Sequence, residues 1–375
     1  MEEKILVAKS SMPPYEEYCK KIKPLWDSHW LTNMGQFHKE FECELSNFFG
    51  SECVSLMVNG HMSLELCIQA MNFPIGAEII TTPFTFISTT HAIIRNNLKP
   101  VFCDVNINNG TIDVSKIEEL ITPKTVAIVP VHVYGNLCDY KTIEKIAEKY
   151  QLKVIYDAAH AFGIEYNGVN VAKLGDASCF SFHATKCFNS IEGGAVVFSD
   201  ETLYSKLQDL KNFGIRGEEL VSGVGAISKM NEFCAIMGFL NLQYFVSEIE
   251  KRKRIVELYK ELLCDVEGIN VFLEDIEGKK SNYSYFPVII DEKSYGISRD
   301  QLYINLKKNN IYSRKYFYPI TADQACFKNE YKNASLTNAR LLSKNILVLP
   351  LYADLEKENV IRIAEVIKTC KKSRT

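Results

Sequence analysis

A lysine does covalent chemistry only as the free amine, so a reactive one needs an apolar wall or a cationic neighbour to shed its proton. Lys186 closes the run Ser178-Cys179-Phe180-Ser181-Phe182-His183-Ala184-Thr185-Lys186, and Ile191-Glu192-Gly193-Gly194-Ala195 follows at once. Phe180, Phe182 and Phe188 are the expected wall. Ser181 sets a hydroxyl five residues before the amine, and Asp157 a carboxylate twenty-nine residues before it. An amine, a hydroxyl for a phosphate and a carboxylate for a ring nitrogen are the groups that hold and use a phosphorylated pyridine aldehyde. A lone lysine after a strand is more often a solvated loop residue. The neighbours turn the reading toward an enzyme.

Asp157 emerges from Val154-Ile155-Tyr156 at the carboxyl end of a buried strand, where ligands of open α/β sheets bind. There it is placed to keep a pyridine nitrogen protonated; its plainer role is the N-cap of a following helix. His160 reaches either a phenolic oxygen of the same ring or a backbone partner in the core. Val58-Asn59-Gly60-His61-Met62 joins a strand to a helix through a glycine, so free amides and the positive helix end make a phosphate cradle. Ser181 is a second phosphate donor or simply a polar strand residue. Thr82-Pro83-Phe84-Thr85-Phe86 follows another strand and offers an aromatic ring, Phe86, either for stacking or for the core.

The elements that must position these groups read as alternating strands and helices from about residue 50 to 200. Val54–Val58, Glu78–Thr81, Pro100–Cys103, Val126–Pro130 and Val154–Tyr156 are apolar runs with helical patterns between them, and 178–181 and 195–198 flank the lysine turn. This rhythm predicts a parallel sheet with crossover helices. A helix is expected from about Gln243 to Leu263, with Glu250-Lys251-Arg252-Lys253-Arg254 as its solvated face. Beyond it, segments 284–290, 301–308, 346–349 and 356–371 predict a smaller α+β domain.

The chain has 375 residues, 47% of them apolar and 24% charged, which suffices for two domains. A net charge of -3 argues against a general nucleic-acid binder. Twelve cysteines include no CxxC pair, and the first residues lack signal-peptide features, so reduced thiols and a cytoplasmic location are expected. No apolar run approaches the roughly 20 residues of a membrane helix, and no metal site is expected.

Six segments together resemble one family along nearly the whole chain. They are Asn59-Gly60, Thr82-Pro83-Phe84-Thr85-Phe86, Pro130-Val131-His132-Val133-Tyr134-Gly135, Asp157-Ala158-Ala159-His160-Ala161, Ser181 to Lys186, and Glu192-Gly193-Gly194. Their order and spacing are similar to those of the DegT/DnrJ/EryC1/StrS sugar aminotransferases, which are fold type I pyridoxal phosphate enzymes. The resemblance implies an α/β large domain over 1–245, with a mostly parallel seven-stranded sheet flanked by helices, and a connector helix with a small α+β domain over 246–375. It implies that Lys186 carries pyridoxal 5'-phosphate and shuttles the proton, while Asp157 holds the ring nitrogen. It also places Gly60, His61, Met62 and Ser181 at the phosphate, Phe86 on the ring face and His160 at the phenolic oxygen. Such enzymes look like homodimers with a shared active site, and Asn231 matches the position that reaches the neighbour's phosphate. Asn33, Arg314, Tyr316 and Tyr318 resemble residues of the sugar-nucleotide pocket; otherwise Arg314 and the tyrosines are surface-loop residues. One departure is the Asn59-Gly60-His61 run, where many relatives carry threonine in place of histidine. Lys186 itself disfavours the dehydratase subgroup, in which histidine replaces that lysine.

The wording of Ala8 to Pro14, Leu31-Thr32-Asn33 and Ser181 to Lys186 resembles most the members acting on dTDP-4-keto-6-deoxy-D-glucose with L-glutamate as amino donor. The product would be dTDP-4-amino-4,6-dideoxy-D-glucose, a precursor of surface polysaccharide. A 3-aminotransferase acting on a dTDP-3-keto sugar is the alternative within the family. A cofactor-binding regulator without catalysis is the alternative outside it, although no helix-turn-helix with a basic recognition helix stands out.

Overall fold

Short apolar runs bounded by Gly, Pro and Asn become the strands of one large sheet. They are β1 (Val54–Met57), β2 (Glu78–Thr81), β3 (Lys99–Phe102), β4 (Thr125–Val129), β5 (Lys153–Asp157), β6 (Ala177–Ser181) and β7 (Gly194–Phe198). The computed structural model describes residues 3–371 apart from 328, 329, 332 and 333. The strand order is β1-β7-β6-β5-β4-β2-β3. Only β7 runs against its neighbours; the remaining pairs are parallel. The sheet is therefore the mostly parallel seven-stranded one expected, and the fold is that of the type I pyridoxal phosphate transferases.

Helices cover both faces, as a parallel sheet requires. They include α1 (Gln36–Phe49), α2 (Gly60–Ala70), α3 (Ile87–Arg95) and the long α4 (Glu232–Leu263). Period-two alternation sends successive residues to opposite cores. Phe180, Ala195 and Val197 pack with Phe41, Phe162 and Phe188 on one side, whereas Cys179, Val196 and Phe198 pack with Leu64 and Ile68 of α2 on the other. The first core is aromatic: the Phe162 and Phe188 rings stack 4.1 Å apart.

A second core lies beyond. There β8 (Ile269–Val271), β9 (Phe286–Ile290) and β10 (Ile346–Leu349) form an antiparallel sheet with β9 in the middle, next to α5 (Arg299–Lys308) and α6 (Lys357–Cys370). Helix α4 enters both cores: Cys234 to Phe245 lie in the aromatic one, and Ile255 to Leu263 in the second. It begins at Glu232, eleven residues before the expected Gln243, because the Asn231 side chain accepts the Cys234 N–H at 2.9 Å and caps it there.

An N-terminal strap joins the second core to the lysine turn. Ile5 sits in the second core and exchanges backbone bonds with Asn310 and Tyr312, and Val7 accepts the Leu351 N–H at 3.1 Å. Farther on, Ser10 Oγ donates to the Ala184 carbonyl at 2.7 Å, inside the lysine turn. Among the described residues no helix is long and apolar enough to cross a membrane.

Candidate active site

The carboxyl ends of β5 and β6 and the residues after β1 and β2 meet around a cavity of about 360 Å³. Gly60, His61, Phe86, Asp157, His160, Ser181, Lys186 and Tyr316 all line it, so eight residues singled out in the sequence converge there.

Gly60 is the first residue of α2, and the helix start is pressed onto the end of β6. A β-carbon on Gly60 would lie 2.5 Å from Ser181 Cβ and 2.9 Å from its Cα. Only glycine permits that approach. The Asn59 side chain accepts the Met62 N–H at 2.9 Å, which leaves the Gly60 and His61 amides as the helix's orphan donors. Two free amides, the Ser181 hydroxyl and the positive helix end therefore surround one small concavity.

Asp157 is 5% exposed. Its Oδ2 accepts the Thr89 hydroxyl at 2.7 Å, its Oδ1 accepts the Ala159 N–H at 3.1 Å, and Thr85 in turn donates to Thr89 at 3.1 Å. Burial raises the carboxyl above its ordinary range, with Thr89, Ala159 and the Lys186 charge pulling the other way. No helix starts at Asp157, so it is not an N-cap; the chain turns instead.

His160 is buried beside it. Nδ1 accepts the Tyr134 N–H at 3.0 Å, and the His160 carbonyl accepts from Asn282 at 2.9 Å and Ser284 at 3.3 Å. The ring is near-parallel to Phe317 at 5.9 Å. Burial, and then the Lys186 charge, push its pKa well below the ordinary value, so the ring is neutral with its hydrogen on Nε2.

Lys186 Nζ donates to the Tyr285 hydroxyl at 3.3 Å. Its turn is held by the Lys186 N–H to His183 carbonyl bond of 2.8 Å and the Ser190 N–H to Phe182 carbonyl bond of 2.9 Å. The expected wall is a correction: Phe180, Phe182 and Phe188 belong to the aromatic core and not to the cavity. Tyr285, Tyr316 and Phe317 take that place.

A second cavity of about 460 Å³ adjoins the first and shares Thr85, Phe86, Tyr316 and Phe317 with it; Arg314 and Tyr318 line it. Met62, Asn33 and Asn231 line neither. Met62 lends only its amide to the cap. Asn33 accepts from Lys229 Nζ at 2.5 Å, which sets it near Asn231 on the surface. The residues missed in the sequence are Thr89, Tyr285, Phe317 and Asn282. Thr85 and Thr89, four apart at a helix start, were the one local signal; the others come from distant chain.

An amine, a buried carboxylate, a neutral imidazole and an anion cradle fit pyridoxal phosphate, and the Gly60 cradle is the part a β-carbon would fill. Residues 15–368 match the DegT/DnrJ/EryC1/StrS aminotransferase family. The chain is 40% identical, over 99% of its length and 100% of the relative's, to a dTDP-4-amino-4,6-dideoxy-D-glucose transaminase of Shigella dysenteriae. An Escherichia coli protein of the same name is 41% identical over 97% of this chain and 98% of its own. Among solved structures, DesI in the presence of its TDP-sugar product superposes with a TM-score of 0.93 at 31% identity, covering 99% of this chain and 94% of that one.

Proposed function

The chain belongs to the DegT/DnrJ/EryC1/StrS aminotransferase family and is a pyridoxal phosphate-dependent transaminase, and on that premise we propose how its residues share the work. The substrate we assign is dTDP-4-keto-6-deoxy-D-glucose, with L-glutamate as amino donor and dTDP-4-amino-4,6-dideoxy-D-glucose as product. Relatives of that name at 40% and 41% identity over nearly the full length support the assignment. The observation that carries the chemistry is the meeting of the Lys186 amine and the buried Asp157 carboxylate on one cavity wall set.

The bound cofactor supplies an electron sink that stabilises negative charge at the substrate's amine-bearing carbon. Gly60, His61 and Ser181 bind its phosphate, with Met62 confined to the cap, and Phe86 covers the ring face. Asp157 keeps the ring nitrogen protonated, since a buried carboxylate is satisfied best by a cation. The His160 Nε2–H donates to the phenolic oxygen. Lys186 would hold the cofactor and, as a free amine, would move a proton at the reacting carbon, with Tyr285 receiving an amine hydrogen and orienting it. Arg314 pairs with the diphosphate, and Tyr316 and Tyr318 present hydroxyls to the sugar in the adjoining cavity.

We assign residues 1–245 to the cofactor-binding body and 246–375 to the smaller one. Asn33 and Asn231 serve a second copy of the chain in a homodimer. Trp30, Leu31, Phe213, Leu220, Val221 and Val224, around the Asn33–Lys229 cluster and the neighbouring hairpin, leave large apolar side chains exposed, as a contact face does.

The test is an assay with glutamate and each of the dTDP-4-keto and dTDP-3-keto sugars, with the new amine located by NMR. Amination at C4 is expected. Amination only at C3, or turnover retained by Lys186→Ala, overturns the assignment.

A further inference from the structure

His61, the second residue of α2, faces the cavity with two neighbours that fix its ring. Nε2 lies 3.0 Å from Glu65 Oε2, one turn along the helix. That oxygen also takes the Arg95 Nε–H at 2.6 Å. A carboxylate accepts only, so Nε2 keeps its hydrogen in both protonation states of the ring. Nδ1 lies 2.9 Å from Ser88 Oγ on α3, and both His61 and Ser88 line the cavity beside Gly60. The direction of this last bond depends on one proton. In the neutral ring Nδ1 accepts, and Ser88 spends its only O–H there, showing the cavity lone pairs. In the charged ring Nδ1 donates to Ser88 Oγ, and the Ser88 hydrogen is free to turn inward.

We infer that His61 and Ser88 form a proton-linked phosphate clamp: the pair takes up a proton when a phosphate docks at the start of α2, and Ser88 becomes a donor to that phosphate. The inference rests on the reading of Gly60 and Ser181 as the phosphate site. The surroundings set the sign. Burial first, and then the charges of Arg95 and His91, hold the ring below its ordinary pKa, while Glu65 opposes them. Asp157, His160, His183, Lys186, Glu192, Tyr285 and Tyr316 are the other titratable groups on the cavity walls. A phosphate monoester brings a charge of about -1.5 to -2 at pH 7. Its arrival favours the charged ring. The free protein thus holds a neutral ring at pH 7, and the complex a protonated one. Linkage then requires proton uptake on binding, and an affinity that weakens as pH rises between the free and bound pKa values.

The probe is pyridoxamine 5'-phosphate, whose amine does not condense with Lys186, with pyridoxamine as its phosphate-free counterpart. Both are titrated calorimetrically into the cofactor-free full chain in buffers of different ionisation enthalpy. With the phosphorylated probe, the native chain should take up a larger fraction of a proton near neutral pH than His61→Asn does. With pyridoxamine the two proteins should match. Ser88→Ala should weaken the phosphorylated probe roughly fivefold at pH 6.5 and less than about twofold at pH 8.5. Equal proton counts in native and His61→Asn chains, or a Ser88→Ala loss that is the same at both pH values, overturn the clamp. The Ser88→Ala arm decides the matter alone should His61→Asn not fold. Failure of the underlying reading looks different: Ser181→Ala and Gly60→Ala would then leave the ratio of affinities for the two probes unchanged.

Discussion

Thr89 gives its hydroxyl hydrogen to Asp157 Oδ2 at 2.7 Å, and the carboxylate it meets is only 5% exposed. Thr85 completes the chain by donating to Thr89. This pair favours the ionised carboxylate against the cost of burial. Thr89→Val keeps the shape and removes the donor, so the Asp157 pKa should rise further. A hydrogen bond to a charged group contributes about 1.5–3 kcal/mol, which predicts a fall in kcat of roughly ten- to a hundredfold. The acid limb of the pH profile should move upward, and stopped-flow kinetics across pH reads both effects.

Asp157 also has a consequence for stability. Its folded pKa is raised, so the folded chain binds more protons than the unfolded one between the ordinary value of 3.8 and the raised value. Stability of the cofactor-free chain should therefore fall as pH rises through that interval. Asp157→Asn should abolish this slope, raising the urea midpoint at neutral pH while destroying transamination. A midpoint that drops in the variant would contradict the sign.

Gly60→Ala places a methyl 2.9 Å from the Ser181 backbone, which cannot rotate away. Overpacking of this kind costs about 1–3 kcal/mol. The expected result is a lower urea midpoint together with a selective loss of phosphate affinity, measured by displacement of pyridoxamine 5'-phosphate. Gly76→Ala, which meets nothing within 4 Å but has φ +78°, controls for backbone strain.

Tyr285→Phe removes the oxygen that receives the Lys186 amine at 3.3 Å and keeps the ring against His160 at 4.6 Å. The net worth of such a bond is about 0.5–1.5 kcal/mol, so kcat should drop about two- to tenfold. The melting temperature should barely move. A large loss of stability would instead give Tyr285 a packing role.

Much of this arrangement was legible because the reactive groups sit next to strands. Asp157 ends β5, Ser181 ends β6 and Gly60 follows β1, so locating apolar runs also located the site. Period two would also have corrected the misplaced wall. Phe180 and Phe182 flank Ser181 and must face away from it. The start of α4 was hidden for another reason: Cys234, Ala235, Ile236, Met237 and Gly238 are all buried, so the first turns show no amphipathic period. Gly238 is required there by Phe41, whose ring would lie 2.4 Å from a β-carbon. Tyr285 and Phe317 reach Lys186 from about one hundred and one hundred and thirty residues away, and no local pattern announces such a meeting.

The strap of residues 5 to 11 joins the second core to the turn that carries the amine: Ile5 packs in that core, and Ser10 Oγ holds the Ala184 carbonyl at 2.7 Å. The placement of Lys186 is thereby tied to the first dozen residues of the chain, ahead of every strand of the large sheet.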